Sequence, residues 1–205
     1  EEIARGHVGS IRTLQPAGPY HLLGWSFGGL VAHAVACVLR QSGAEIELLA
    51  LLDSFPPTGL TQSDADTEFQ RGVNDLLGTK LNFTGDPAID TPVIREAVRR
   101  KWPEYGFLRD KEIQRMLDGW KHNDRLMQHF RPARFDGDLL FFAATGSRPK
   151  MDAREAWAPY VTGRIVVHEI DCTHMEMTKP GPLGKIGRLI EQHLGVSGSA
   201  FQVPG

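Results

Sequence analysis

The chain has 205 residues, with 23 Lys and Arg against 25 Asp and Glu, and 41% of its side chains are hydrophobic. That length suits one domain with a sizeable core, and the composition is globular rather than disordered. The densest basic cluster, Arg99-Arg100-Lys101, is too small for a nucleic-acid footprint, and apolar runs such as Leu139 to Ala144 are too short to span a bilayer. Two cysteines, Cys37 and Cys172, cannot build a disulfide framework. The opening residues carry no charged-then-apolar leader pattern, so the expected setting is reducing and cytoplasmic, with neither nucleic acid nor membrane as partner.

Ile3, Ile11 and Leu14 give the first fourteen residues a helical spacing, which Pro16 to Pro19 breaks. Tyr20-His21-Leu22-Leu23 is a predicted short strand that runs into Gly24-Trp25-Ser26-Phe27-Gly28-Gly29. Leu30 to Leu39 is apolar nearly all round, the mark of a buried helix, and Ser42-Gly43 ends it. Ile46 to Leu52 is apolar on both faces, which fits an inner strand of a parallel sheet. It stops at Asp53-Ser54-Phe55-Pro56-Pro57.

From Thr58 to Arg131 the chain is more polar. One helical face is predicted at Phe69, Val73, Leu76 and Leu77, and another at Ile113, Met116, Leu117, Trp120 and Met127. Between them Thr91-Pro92 reads as an N-cap followed by proline in the first helical position. A connection of this length is a helical insertion rather than a loop. Strands are predicted at Asp138 to Ala144 and Arg164 to Ile170, then a turn at Asp171 to His174, a helix from Pro182 to Leu194, and a polar tail from Gly195 to Gly205. Strand and helix alternate outside the insertion, so the expected fold is α/β with a mostly parallel sheet flanked by helices.

Gly24-Trp25-Ser26-Phe27-Gly28 matches the G-x-S-x-G nucleophile elbow. There a serine sits on a strained strand-to-helix turn, and the glycines two before and two after it admit close backbone approach. The pattern is short, so context carries the weight: a strand before, a buried helix after, and a third glycine, Gly29, where helix meets sheet. The helix N-terminus directs partial positive charge at the serine oxygen. A serine hydroxyl needs a base. Of the eight histidines, His33 lies inside the buried helix, His168 in a strand, His193 near the end of the last helix, and His122 and His129 in the insertion. His174 lies in a turn between the last strand and the last helix, where such a fold presents its base. The orienting carboxylate is either Asp53, at the end of the second strand, or Asp152, after the third. Both keep the order Ser, Asp, His. Asp53 is favoured because ligand-facing groups sit at the carboxyl ends of parallel strands.

The stretch Gly18-Pro19-Tyr20-His21-Leu22-Leu23-Gly24-Trp25-Ser26-Phe27-Gly28-Gly29, followed by Val31-Ala32, resembles the thioesterase domains that terminate non-ribosomal peptide synthetases, within the α/β-hydrolase superfamily. Leu51-Leu52-Asp53-Ser54 with Pro56-Pro57 is similar to that family's second motif, and Thr173-His174-Met175-Glu176-Met177 to its histidine motif. The resemblance implies a single domain over 1–205 with a lid insertion at about 58–131. It implies Ser26 as acylated nucleophile, His174 as general base, Asp53 as its orienter and the Phe27 amide as an oxyanion donor. The substrate would be a peptidyl thioester on the phosphopantetheine arm of an upstream peptidyl carrier protein, within a multimodular synthetase. Release by hydrolysis or macrocyclisation would follow, with no cofactor bound by the domain itself and no metal. The chain departs from the family pattern at Cys172, where glycine is usual two before the histidine.

Other serine hydrolases are the alternative: an editing thioesterase, a polyketide or fatty-acid release domain, or a small-molecule esterase. Editing thioesterases place the aspartate after the later strand, where this chain reads Thr145-Gly146-Ser147-Arg148-Pro149. A binding module on the same fold usually loses a triad member. The nucleophile strand begins about twenty residues into the chain after a single helix, so earlier strands of the sheet, with a second oxyanion amide, are expected upstream of these residues.

Overall fold

The computed structural model describes residues 2–57, 62–146 and 151–195. The predicted tail beyond Gly195 and the Ser147-Arg148-Pro149 stretch lie outside the described residues. The chain divides into two compact units, one from Glu1–Pro56 with Arg131–Gly205, the other Pro57–Phe130.

The first unit is built on four parallel strands in the order β1 (Tyr20–Trp25), β2 (Ile46–Leu52), β3 (Leu139–Ala144) and β4 (Ile165–Ile170). Its helices are α1 (Glu2–Leu14), α2 (Phe27–Gln41), α6 (Ala153–Trp157) and α7 (Pro180–His193). Side chains alternate across a strand. Leu48, Ala50 and Leu52 of β2 join Leu140, Phe142 and Ala144 of β3 on one face, covered by Ile186 of α7 and by Met177. Their neighbours Leu49, Leu51, Leu139 and Phe141 point to the other face and are equally buried. This is why β2 from Leu48 onward, and β3 throughout, read as apolar runs rather than alternating ones. Each fully buried Leu or Phe contributes about 1.5–3 kcal/mol.

α1 packs on α2 through Ala4 and Val8, while Ile3 and Leu14 are exposed. The helix read from the spacing of Ile3, Ile11 and Leu14 is present over these residues. The register sets the site. Trp25 lies beside Leu52, and Ala144 beside Ile170, so the chain leaves all four strands at one edge of the sheet.

The second unit holds α3 (Gln62–Leu77), α4 (Pro87–Lys101) and α5 (Asp110–His129). They meet in a core of Val73, Leu77, Ile94, Ala97, Val98, Ile113 and Leu117, with Phe69, Met116 and Trp120 packed against it. The predicted cap at Thr91-Pro92 is corrected by the structure. α4 starts five residues earlier, where Asp86 accepts the Ala88 amide at 2.9 Å and Pro87 takes the first turn. Asp86-Pro87 carries the same cap-then-proline grammar. Thr91 is buried mid-helix, with its hydroxyl donated to Gln114 Oε1. Among the described residues, no helix is long and apolar enough to cross a membrane.

Candidate active site

β1 passes into α2 through one residue, Ser26, whose φ of 54° and ψ of −128° lie outside the usual regions for an L-residue. Its amide donates to the Leu52 carbonyl at 3.1 Å and its carbonyl accepts the Gly29 amide at 3.0 Å, so the strained turn is pinned on both sides. The Ser26 hydroxyl makes no cap hydrogen bond to the helix. Two glycines make the turn possible. A methyl on Gly24 would overlap the Gly28 carbonyl and stand 2.6 Å from Gly29 Cα, and one on Gly29 would overlap the Ser54 side chain. At Gly28 nothing lies within 4 Å. The expectation that the glycine two after the serine serves close packing is therefore corrected: Gly29 does that here. Phe27 opens α2, so its amide is among the first-turn donors left without a partner inside the helix.

Asp53 follows β2 with a φ of 46°; among the described residues, it and Ser26 are the non-glycine residues with positive φ. Such strain is held where the surroundings over-determine it, often at functional sites. The Asp53 amide donates to the Phe142 carbonyl at 2.8 Å, and its Oδ1 accepts the Ala144 amide at 3.1 Å. Its Oδ2 is 2.7 Å from His174 Nδ1. The Asp53 side chain is 12% exposed and that of His174 30%. A carboxylate accepts only, so Nδ1 carries the proton and Nε2 is the acceptor of the neutral ring.

His174 opens a 3-10 turn (His174–Glu176) closed by a reciprocal cap. Glu176 Oε2 accepts the Thr173 amide at 3.1 Å and its hydroxyl at 2.9 Å, while Lys179 Nζ lies 3.0 Å from Oε1. These bonds, the Thr173 amide first, pull the Glu176 carboxyl down to about 2. Trp25 reaches the same turn: its indole N–H donates to the His174 carbonyl at 3.2 Å, and the two rings stack with centroids 5.1 Å apart. Trp25 and Glu176 were not singled out in the sequence, although Thr173-x-x-Glu176 is a legible capping signature.

The remaining candidates go elsewhere. Asp152 caps α6, accepting the Arg154 amide at 2.8 Å. His33 is fully buried between Phe135 and Trp157, with Nε2 3.2 Å from the Tyr160 carbonyl, and desolvation lowers its pKa to about 4. His168 stacks on Phe142, His193 ends α7, and His122 and His129 lie on α5. Cys172 is buried in the core cluster, and burial raises its thiol, opposite to an activated nucleophile. Its φ is not positive, which explains how cysteine stands where glycine is usual. Among the described residues, no group of three or more His, Cys, Asp or Glu is placed to hold a metal ion.

A strained serine turn between a parallel strand and a buried helix is the mark of an α/β-hydrolase. The chain belongs to the thioesterase domain family, whose model matches residues 1–194; it is thus of hydrolase type. It is similar to a dimodular nonribosomal peptide synthase of Bacillus subtilis (strain 168), at 33% identity over 194 residues, covering 93% of this chain and 8% of that protein. Malpibaldin synthetase of Mortierella alpina is 34% identical over 197 residues, covering 95% of this chain and 3% of that protein. The chain therefore spans under a tenth of the length of these relatives. Among solved structures, the NocB thioesterase domain, in covalent complex with a fluorophosphonate nocardicin G analogue, is 26% identical with a TM-score of 0.60, covering 95% of this chain and 74% of that one.

Proposed function

We propose that the domain releases an acyl or peptidyl chain from a thioester on the phosphopantetheine arm of a carrier protein, through an ester on Ser26. Ser26 Oγ attacks the thioester carbonyl as His174 Nε2 takes its proton, and the Phe27 amide supports the oxyanion. Collapse breaks the carbon–sulfur bond, and the leaving thiolate takes the proton from His174. Water, or a nucleophile within the peptide, then repeats the sequence on the ester and gives an acid or a ring. Asp53 holds the tautomer that makes Nε2 the base and steadies the imidazolium.

The observation that carries this reading is the 2.7 Å contact between Asp53 and His174, on a turn bonded to the residue before the strained Ser26. The helical unit Pro57–Phe130 occupies the stretch assigned to the lid insertion. The relatives being peptide synthetases, the partners are an upstream peptidyl carrier protein and its synthetase, in the cytoplasm. The test is Ser26→Ala, assayed with a carrier-bound peptidyl thioester and a fluorophosphonate. Turnover should fall on the order of 10⁶-fold and labelling should vanish. Persisting turnover, with labelling moved to Cys172, would overturn the assignment.

A further inference from the structure

The residue between the elbow's first glycine and its serine has contacts that its place in the motif does not require. A side chain at the end of β1 needs only to pack over the sheet, and Trp25 does so, beside Leu52 in register and against the core cluster of that face. Its indole also makes two separate contacts with His174, which is 149 residues away in sequence: the N–H on the backbone carbonyl at 3.2 Å and the ring on the imidazole. The rings stand 5.1 Å apart and 29° from parallel.

We infer that Trp25 is a positioning residue for His174, holding the imidazole plane and its turn in place. The inference rests on reading Ser26 and His174 as nucleophile and base. The Asp53 bond fixes one ring edge, but a ring held at one nitrogen still swings about that bond. A stacked plane removes the swing. The indole N–H anchors the backbone from which the ring hangs, so the side chain and the main chain of His174 are both tied to the residue before the nucleophile. When His174 takes the serine proton it becomes a cation over an indole face, the best of the aromatic faces for a cation. The contact therefore strengthens as the reaction proceeds, which is the condition for aiding the chemical step rather than binding.

The test separates the two contacts. Trp25→Phe keeps a ring to stack but loses the donor; Trp25→Leu loses both and keeps apolar bulk. Four quantities are read: kcat and KM on a peptidyl N-acetylcysteamine thioester, the second-order rate of Ser26 phosphonylation by a fluorophosphonate, and the downfield proton resonance of the His174 Nδ1–H bonded to Asp53. A misplacement on the ångström scale costs about 100-fold in rate. The expected result is that kcat and phosphonylation fall together, about 10-fold in the Phe variant and about 100-fold in the Leu variant. KM should hold, and the resonance should broaden in the same order. Should the Leu variant fail to fold, the Phe variant decides by the same readouts. Folded variants with wild-type rates and an unchanged resonance would overturn the role of Trp25 alone. A wild-type chain whose Ser26 is never labelled would overturn that role and the triad reading together, so the two failures are distinguishable.

Discussion

Asp53 and Asp152 follow successive strand ends with the same side chain, and their surroundings give them different work. One carboxylate accepts a main-chain amide on one oxygen and faces an imidazole with the other; the other caps a five-residue helix. Asp53→Asn should cut turnover by about 10⁴-fold, because an amide leaves the imidazole in the wrong tautomer. Asp152→Asn should leave turnover close to wild type, since asparagine caps as well as aspartate. Equal loss in steady-state assays of the two variants would reverse the choice. His33 bears instead on stability. Unfolded, its imidazole protonates near 6.5, and folded only near 4. The unfolded chain thus binds more protons between those values, and stability falls as pH drops through that window, by on the order of 3 kcal/mol in all. His33→Phe should flatten this slope in urea unfolding measured between pH 7 and pH 4. At this scale the sequence signalled the elbow serine, the turn histidine and the strand-end aspartate, each a polar residue at a break in an apolar run. It carried no signal for the Trp25 contact, because a contact between positions 25 and 174 depends on sheet register rather than on local pattern.

The elbow glycines show how an element imposes its residues. Gly24 faces the main chain of Gly28 and Gly29, whereas Gly28 faces open space. Gly24→Ala should destabilise the fold by about 3 kcal/mol or more, since main chain cannot yield as a flexible side chain can. Gly28→Ala should raise stability by about 0.5–1 kcal/mol, through the entropy of a helical glycine. Chemical denaturation of both variants checks the contrast, and equal destabilisation would count against it. Elements were legible where one physical signal dominated: β2, β3 and α2 are so apolar that burial on all sides is their only stable placement. Where two signals competed, the reading slipped. Pro92 and Pro87 both sit next to a residue able to cap, and only burial of Thr91 against α5 decides between them.

For the molecule as a whole, the division at Pro57 and Phe130 has energetic content. α2 is buried along most of its length, while the buried residues on α5 are Ile113 and Leu117. Amide exchange should therefore be faster across α3, α4 and α5 than across Leu30 to Leu39, and equal protection would count against a mobile lid. The alternation of strand and helix made the sheet legible, the polar stretch marked the insertion, and the periodic stripes at Phe69, Val73 and Leu77 and at Ile113, Met116, Leu117 and Trp120 are faces that meet in its core. The placement of that unit within the chain also governs how the sheet assembles in time. Leu52 pairs with Phe142, so the central strands must close a loop of about 90 residues, of which the second unit occupies all but about 16. Because that unit has its own core, it can condense before the strands meet. The loop left to close is then the short remainder, and the entropic barrier falls by about 1.5 kcal/mol. A substitution that loosens Ile113, far from any strand in sequence, would in this way slow the pairing of β2 with β3 and lengthen the time its apolar surface stays uncovered.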